Sequence, residues 1–272
     1  MRQLRLLAES KLSSGARNMA VDCAIAEAVG GAAQLPTLRL YGWQPVCLSL
    51  GYGQRLAEVD AAALSSRGWG LVRRPSGGKA ILHAQELTYS LCLPLGHDLT
   101  RGDVIESYRR ISAGLLAALQ HLGIPARAKP QNTNLPGAIA GPVCFLRPSH
   151  YEIAIGGRKL IGSAQLRRGG ALLQHGSLPL CGDIGRICDA LVFASDNARE
   201  QERRLVRQRA ITLSEVLGRA ISWDEAAAAF KQGFARALDF ALVESSLSAA
   251  ERERTAALIS ERFGNPRYTA KR

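Results

Sequence analysis

The sequence lacks the features of a membrane-bound or exported protein. Its 272 residues contain no apolar run of 18 or more, so no membrane-spanning helix is expected. The N-terminal stretch MRQLRLLAESKLSSG has too short an apolar segment for a signal peptide. The six cysteines form no CxxC pair. Their spread predicts a reducing, cytoplasmic setting without disulfide bonds, and no metal site is expected.

Aromatic and acidic residues are both scarce. Aromatic residues make up 6% of the chain, and 23 acidic residues face 35 basic ones, for a formal net charge of +12. The charge predicts an acidic partner. The basic residues are scattered and there are few aromatic residues for bases to stack on, which argues against nucleic acid as the partner. A small acidic carrier protein is also compatible with the charge. A generally basic, solvated surface is the simpler alternative.

Apolar periodicity and end signals predict a globular chain of helices and short strands, with a hydrophobic fraction of 47%. Helices are expected at residues 18–29 (capped by Asn18), 60–66, 102–122, 183–193, 212–217, 223–238 and 249–263. Strands are expected at 37–41, 46–50, 71–74, 80–83, 86–93 and 240–246. The apolar stripe of the 102–122 helix, which includes Val104 and Tyr108, is assigned to the core. Residues 129–141 are predicted to be a polar loop, and the charged run 199–209 a solvated segment.

A β-hairpin is predicted in the most informative stretch, residues 141–180. Strands at 150–155 and 158–165 flank Gly156-Gly157, a two-residue hairpin signal. In this register Ile155 pairs with Arg158, Ala154 with Lys159, and Ile153 with Leu160. A third strand at 171–174 follows.

A cysteine and a lysine in this stretch form a candidate nucleophilic site. Cys144 lies in a short loop between Pro142 and Pro148, and Lys159 lies beside the small Ala154. An ammonium near a thiol favours the thiolate and can lower its pKa by about one to three units, which activates the sulfur as a nucleophile. The hairpin alone does not bring the two residues together. A small buried cysteine and a solvated lysine remain the alternative.

The loop RRPSGGKAILH, residues 73–83, is the second candidate site. Adjacent Gly77 and Gly78 permit close backbone approach to a ligand, and Arg73 and Arg74 can hold a phosphate or carboxylate. A surface turn with solvated arginines is an equally good interpretation. The glycine spacing excludes a Walker A loop.

Three stretches together resemble the lipoate/biotin protein ligase superfamily. They are NMAVD near the N-terminus, RRPSGGKAILH with ELTYS after it, and the run from CFLRPSHYE to LLQHGSL. The sequence is most similar to the LipM-type octanoyltransferase branch, over about residues 15–265. The resemblance implies an α/β (α+β) fold, in which helices pack on a mixed, mainly antiparallel sheet. It also implies a single catalytic domain, residues 1–272 with a core at about 32–247.

The resemblance further implies a chemistry that uses no cofactor. Octanoate passes from octanoyl-acyl carrier protein to a cysteine as a thioester, and then to a lysine of a lipoyl-domain protein, typically the glycine-cleavage H protein. By position, Cys144 matches the thioester cysteine and Lys159 the lysine that lowers its pKa. The residues that match the acyl-binding pocket are Arg73, Arg74, Ser76, Gly77, Gly78, Lys79, His83, Gly162, Ser163, Ala164 and His175.

Some positions depart from the superfamily pattern. Lys79 stands where the ligases usually have a third glycine, which favours the LipM-type branch. Cys23 and Ala84 replace common acidic residues, and Cys181 is a rival nucleophile. Three alternatives remain: an ATP-dependent lipoate ligase, an octanoyl amidotransferase acting between carrier domains, and a non-catalytic basic binding module.

Overall fold

A large sheet organises the fold. A computed structural model of the chain describes residues 1–130 and 151–271. These residues form an eight-stranded and a three-stranded sheet. The strands are β1 (Arg2–Ser13), β2 (Thr37–Trp43), β3 (Cys47–Leu50), β4 (Gly70–Arg73), β5 (Ile81–His83), β6 (Glu86–Pro94), β7 (Arg127–Pro130), β8 (Tyr151–Ile155), β9 (Arg158–Arg168), β10 (Ala171–Pro179) and β11 (Phe240–Glu244).

Helices connect and cover these strands. The α-helices are α1 (Gly15–Gly30), α2 (Ala61–Ser66), α3 (Val104–His121), α4 (Asp196–Arg209), α5 (Leu213–Leu217), α6 (Trp223–Ala237), α7 (Ala249–Leu258) and α8 (Pro266–Thr269). Short 3₁₀ segments lie at Leu56–Glu58, Asp98–Thr100 and Ile184–Ala190, and a π-helical turn at Ile259–Phe263. None of these helices, within the described ranges, is long and apolar enough to cross a membrane.

The strand order of the large sheet is β11-β1-β2-β6-β10-β9-β8-β7, and that of the small sheet is β4-β3-β5. β1 runs parallel to both β2 and β11, and the remaining neighbours in the large sheet are antiparallel. In the small sheet β3 is parallel to β4 and antiparallel to β5. The mixed, mainly antiparallel α/β fold expected from the sequence is therefore confirmed.

Both faces of the large sheet are covered. α3 and α6 pack on one face, where Ile111 and Leu115 meet Phe230 and Phe234 in the main apolar cluster. α1 packs on the opposite face through Val21, Ile25 and Val29. The strands are thus buried on both sides, and the polar residues on them need partners inside the protein.

The first strand was not predicted. Leu4, Arg5, Leu6 and Leu7 are all buried, so β1 shows no alternation of apolar and polar residues. Arg5 interrupts the apolar run, and it is buried because its guanidinium is paired with Glu251 of α7. A strand that is covered on both faces has a continuous run of apolar residues rather than an alternating pattern. In β1 the charged Arg5 interrupts that run, so neither pattern can be recognised in the sequence.

Several predicted helix ends and segments were wrong. α1 begins after Ser14, whose side chain accepts a hydrogen bond from the Arg17 N–H. Asn18, predicted to be the cap, is buried inside the helix and donates to the Ser13 and Gly42 carbonyls. The segment predicted as a helix at 183–193 is a 3₁₀ helix.

The charged run at 199–209 belongs to helix α4 instead of a solvated segment. Arg203 pairs with Asp189, and Arg207 pairs with Asp183 at 2.6 Å, so the helix is tied to the 3₁₀ helix beside it. Val206 on its inner face is fully buried.

The predicted loop at 129–141 begins inside a strand. Lys129 and Pro130 belong to β7 and pair with Glu152 and Tyr151 of β8. The rest of that loop lies outside the described residues, as does Cys144.

Candidate active site

A largely apolar cavity of about 500 Å³ lies where the two sheets meet the N-terminal end of α3. Its volume is within the range of small-molecule sites. The described wall includes Met19, Tyr41, Trp43, Ser49, Ile81, Thr88, Val104, Ile105, Tyr108, Gln165, Gly176 and Ser177.

Most of the pocket residues predicted from the sequence line this cavity. They are Arg74, Gly77, Gly78, Lys79, His83, Lys159, Gly162, Ser163, Ala164 and His175. Arg73 and Ser76 lie behind the wall and are not among its described lining residues. The predicted nucleophile Cys144 lies outside the described residues, so its place relative to the cavity stays a prediction.

The loop around Gly77 and Gly78 has a backbone geometry that only glycine accommodates easily. Gly78 has a φ of 98°, a conformation that side chains disfavour. A Cβ on Gly51 would lie 1.8 Å from the Gly78 carbonyl oxygen, so β3 and the loop can approach only without a side chain there. Nothing lies within 4 Å of a Cβ built on Gly77. Gly77 therefore leaves open space at the wall.

The two arginines of this loop bind backbone. Arg73 donates to the carbonyls of Gly51, Gln54 and Thr269. Both side chains are buried, at 1% and 3% exposure. The described hydrogen bonds of Arg74 reach carbonyls of the same loop and Ser49. The interpretation that they hold an anionic ligand gains no support from these contacts, because their described role is to fix the loop.

A β-bulge positions Lys159. The predicted pairs Ile155–Arg158 and Ala154–Lys159 are present, but Ile153 pairs with Ile161 instead of Leu160. The register thus shifts by one residue in β9, and the third predicted pair was wrong. Bulges re-aim side chains.

The shift brings the Lys159 side chain over Gly162. A Cβ on Gly162 would lie 2.9 Å from Cε and 3.4 Å from Nζ of Lys159. Residues three apart on a regular strand point to opposite faces, so this proximity depends on the bulge. The lysine is 3% exposed and lines the cavity.

A chain of hydrogen bonds runs from the cavity wall into the sheet. Ser49 Oγ lies 2.8 Å from Nε2 of His83, and His83 Nδ1 lies 2.7 Å from Oε1 of Glu86. Glu86 also accepts from Thr88 and from Ser177. All of these side chains are buried.

His175, which also lines the cavity, belongs to a second histidine–carboxylate pair. His175 Nε2 lies 2.5 Å from Ser76 Oγ, while its Nδ1 is 3.6 Å from Asp22. Burial alone would raise the pKa of Asp22, but hydrogen bonding to His175 and the charge of Arg39 outweigh it and lower the pKa. Asp22 is therefore an ionised partner that is shared with Arg39, 2.8 Å away.

Several residues of the site were missed. Val104 was assigned to the core, but it is 52% exposed and lies at the cavity wall. It is the first residue of α3, directly after the N-cap Asp103, and lies one turn before the buried stripe begins. Ser49 and Trp43 lie in short strands, and the residue pattern of these strands does not indicate a ligand-binding or catalytic role.

The rival cysteine lies elsewhere. Cys181 is exposed and lines a separate cavity of about 40 Å³. Burial raises the pKa of Cys23 and of Cys47 to about 12, which keeps both as unreactive thiols near neutral pH. Within the described ranges, no group of three or more His, Cys, Asp or Glu residues is arranged to hold a metal ion.

Comparison with known proteins identifies the family. Residues 14–235 match the model of the lipoyl protein ligase A/B catalytic domain. The chain is 43% identical over 265 residues to a protein named octanoyltransferase LipM from Kyrpidia tusciae, covering 96% of each chain. It is also 43% identical over 256 residues to octanoyltransferase LipM from Symbiobacterium thermophilum, covering 92% of each.

A solved structure has the same fold. It is the bipartite lipoate protein ligase studied with its E2 lipoyl domain from Thermoplasma acidophilum. It superposes with a TM-score of 0.82 at 23% identity, covering 99% of this chain and 97% of its own. With the family model spanning most of the sequence and relatives matching nearly all of it, this chain belongs to the lipoyl protein ligase A/B catalytic-domain family.

Proposed function

We propose that this chain is an octanoyltransferase of lipoate biosynthesis. It takes an octanoyl group from octanoyl-acyl carrier protein, holds it as a thioester on Cys144 and passes it to a lysine of a lipoyl-domain protein such as the glycine-cleavage H protein. The observation that carries the proposal is the buried Lys159 at the wall of a largely apolar cavity, in a chain 43% identical to named octanoyltransferases.

The cavity suits an acyl chain. Met19, Ile81, Val104 and Ile105 contribute apolar surface to its wall. Each buried methylene contributes about 0.8 kcal/mol, so the six methylenes of octanoyl supply about 5 kcal/mol of binding free energy. Hydrophobic burial thus gives enough affinity to hold the chain while the polar wall faces the reacting carbonyl.

Lys159 acts on the nucleophile in this proposal. A buried ammonium is screened less than one in water, so its attraction for a nearby thiolate is stronger. That attraction lowers the pKa of the Cys144 thiol and raises the thiolate fraction at neutral pH. The thiolate attacks the carbonyl carbon of the carrier thioester, the carbon–sulfur bond to the carrier breaks, and the carrier sulfur leaves as a thiolate.

An acyl thioester is already activated, whereas a free carboxylate is not, and ligases of this fold consume ATP for that reason. Adenylate chemistry needs backbone amides close to a phosphate, which a third glycine after Gly78 would permit. Lys79 has a side chain there and lies 3.9 Å from Glu58. This favours transfer over ligation.

The charge also fits the proposed partners. The chain carries a formal net charge of +12, which attracts acidic domains and raises the rate of encounter. A lipoyl domain accompanies the structurally similar archaeal ligase, and a domain of that kind is the acceptor in our proposal.

The test is intact mass spectrometry after incubation with octanoyl-acyl carrier protein, without ATP or magnesium. The wild-type protein should gain one octanoyl group and pass it to a lipoyl-domain lysine. Cys144→Ala should gain none, whereas Cys181→Ala should behave as wild type. Acylation that needs free octanoate and ATP would instead identify a ligase, and normal transfer by Cys144→Ala would overturn the assigned nucleophile.

A further inference from the structure

The mechanism above leaves one proton unassigned. The acceptor lysine arrives as an ammonium with an ordinary pKa near 10.4, and its nitrogen has no lone pair until a proton is removed. A base at the cavity is therefore needed for the second half of the reaction.

Donor-only groups fix the direction of the hydrogen bonds around His83. The Trp43 indole can only donate, and its N–H lies 2.7 Å from Thr88 Oγ1. The Thr88 hydroxyl therefore accepts from Trp43 and donates to Glu86. With Ser177 also donating to Glu86, the carboxylate acts as an acceptor throughout.

The same reasoning applies at the other end of the chain. An arginine can only donate, and Arg74 Nη1 donates to Ser49 Oγ at 3.2 Å. The Ser49 hydrogen is then directed at His83 Nε2. His83 consequently carries its proton on Nδ1, donated to Glu86, and presents a bare Nε2 toward Ser49 at the cavity.

Trp43 also holds the imidazole in place. Its ring stacks on His83 with centroids 3.8 Å apart and an interplanar angle of 9°. Among the described ion pairs of Glu86, the one partner is His83, whereas Asp22 beside His175 is shared with Arg39. Glu86 is thus the carboxylate available to offset an imidazolium.

We propose that Ser49, His83 and Glu86 form a proton relay that deprotonates the acceptor lysine. The proposal rests on the proposed function. The amine gives a proton to Ser49 Oγ while Ser49 passes its own to His83 Nε2, and Glu86 stabilises the imidazolium.

The acyl transfer follows this deprotonation. The nitrogen lone pair of the acceptor lysine attacks the thioester carbon. The carbon–sulfur bond breaks, the sulfur leaves with its electron pair, and the second amine proton goes to the sulfur. His83 returns its proton to water after the product leaves.

The test measures the two half-reactions separately in the His83→Gln variant. Acyl-enzyme formation from octanoyl-acyl carrier protein, which needs no deprotonated amine, should fall much less, and it is measured separately because His83 also lines the cavity. Single-turnover transfer to a lipoyl-domain lysine should fall about 100-fold or more at about pH 7, the usual range for general base catalysis. The loss should shrink toward about pH 9.5, where solvent begins to deprotonate the lysine itself.

Hydroxylamine supplies the matched control, because it is largely neutral at neutral pH and needs no base. Its cleavage of the acyl-enzyme should therefore fall much less than lysine transfer in His83→Gln. The other ionisable side chains at this cavity, Arg74, Lys79, Lys159 and His175, are the same in both proteins. The comparison with wild type therefore isolates the contribution of His83.

Two further variants complete the test. Ser49→Ala removes one oxygen and Glu86→Gln one charge, and both should show the same pattern in weaker form. Equal losses toward lysine and hydroxylamine, or a loss that does not vary with pH, would overturn the relay. So would full lysine transfer by Ser49→Ala. A wild-type protein that takes no octanoyl group counts against the proposed function itself.

Discussion

At the scale of single residues, Lys159 has the clearest consequence. Lys159→Ala removes the buried ammonium, so the Cys144 thiolate loses its proposed electrostatic support. The pH profile of Cys144 alkylation should move upward by about one unit or more. Mass spectrometry of the Cys144 peptide across a pH series measures the shift.

Two comparisons sharpen that measurement. Alkylation of exposed Cys181 in the same samples should keep its profile, because it lies outside the cavity. Lys159→Arg keeps the charge but places a larger planar fork in the same space, so it should recover only part of the shift. An unchanged Cys144 profile in Lys159→Ala would restrict the lysine to substrate binding.

The site was only partly predictable from its residue types. Arg73 and Arg74 resemble anion-binding residues in a glycine-rich loop, yet their described bonds go mainly to backbone carbonyls. The charge of a side chain is read from sequence, but the carbonyls that it meets depend on distant segments. Thr269, one hydrogen-bond partner of Arg73, lies 196 residues after it in the sequence.

At the scale of elements, the bulge in β9 is the feature that the sequence hides. The two-residue turn and the first two hairpin pairs follow from Gly156-Gly157 and local alternation, and they were correct. The extra residue, Leu160, is as buried as its neighbours, so apolar patterning gives no sign of the shift.

The bulge yields a prediction at Gly162. A Cβ there would push against Cε of Lys159, 2.9 Å away, and the flexible lysine can yield with little strain. Gly162→Ala should therefore change the free energy of unfolding by less than about 1 kcal/mol. Acyl-enzyme formation near pH 7 should fall about tenfold, as expected for a one-unit rise in the Cys144 pKa.

Gly96→Ala is the matched control, because nothing lies within 4 Å of a Cβ built there. It should leave acylation unchanged. Denaturant unfolding and single-turnover acylation, measured on both variants, distinguish displacement of the lysine from a general loss of stability. A Gly162→Ala protein with normal acylation would show that the exact position of Lys159 does not matter.

At the scale of the whole molecule, a buried ion pair joins the two ends of the chain. Arg5 of β1 binds Glu251 of α7 bidentately, with one contact at 2.9 Å. Burial alone would raise the pKa of Glu251, but hydrogen bonds from Arg5 and Ser248 outweigh it and the pKa is lowered. A lowered pKa means that the carboxylate stabilises the fold above the ordinary glutamate pKa of about 4.3.

Removing that charge should destabilise the protein in a pH-dependent way. Glu251→Gln leaves the Arg5 guanidinium buried without an anion, which should cost about 3 kcal/mol or more at neutral pH. The difference from wild type should shrink as the pH falls through the lowered pKa, because wild-type Glu251 is then protonated as well. Urea unfolding of both proteins at several pH values measures this, and a constant difference would contradict it.

The bonds from Arg73 to Thr269 also set an order of events during synthesis. Arg73 donates from Nε and Nη2 to a carbonyl made 196 residues later, and a ribosome adds about 5–20 residues per second. The Arg73 guanidinium therefore cannot form those two bonds until roughly 10–40 s after its own synthesis. Until α8 has been synthesised, the loop at the cavity wall lacks these two bonds.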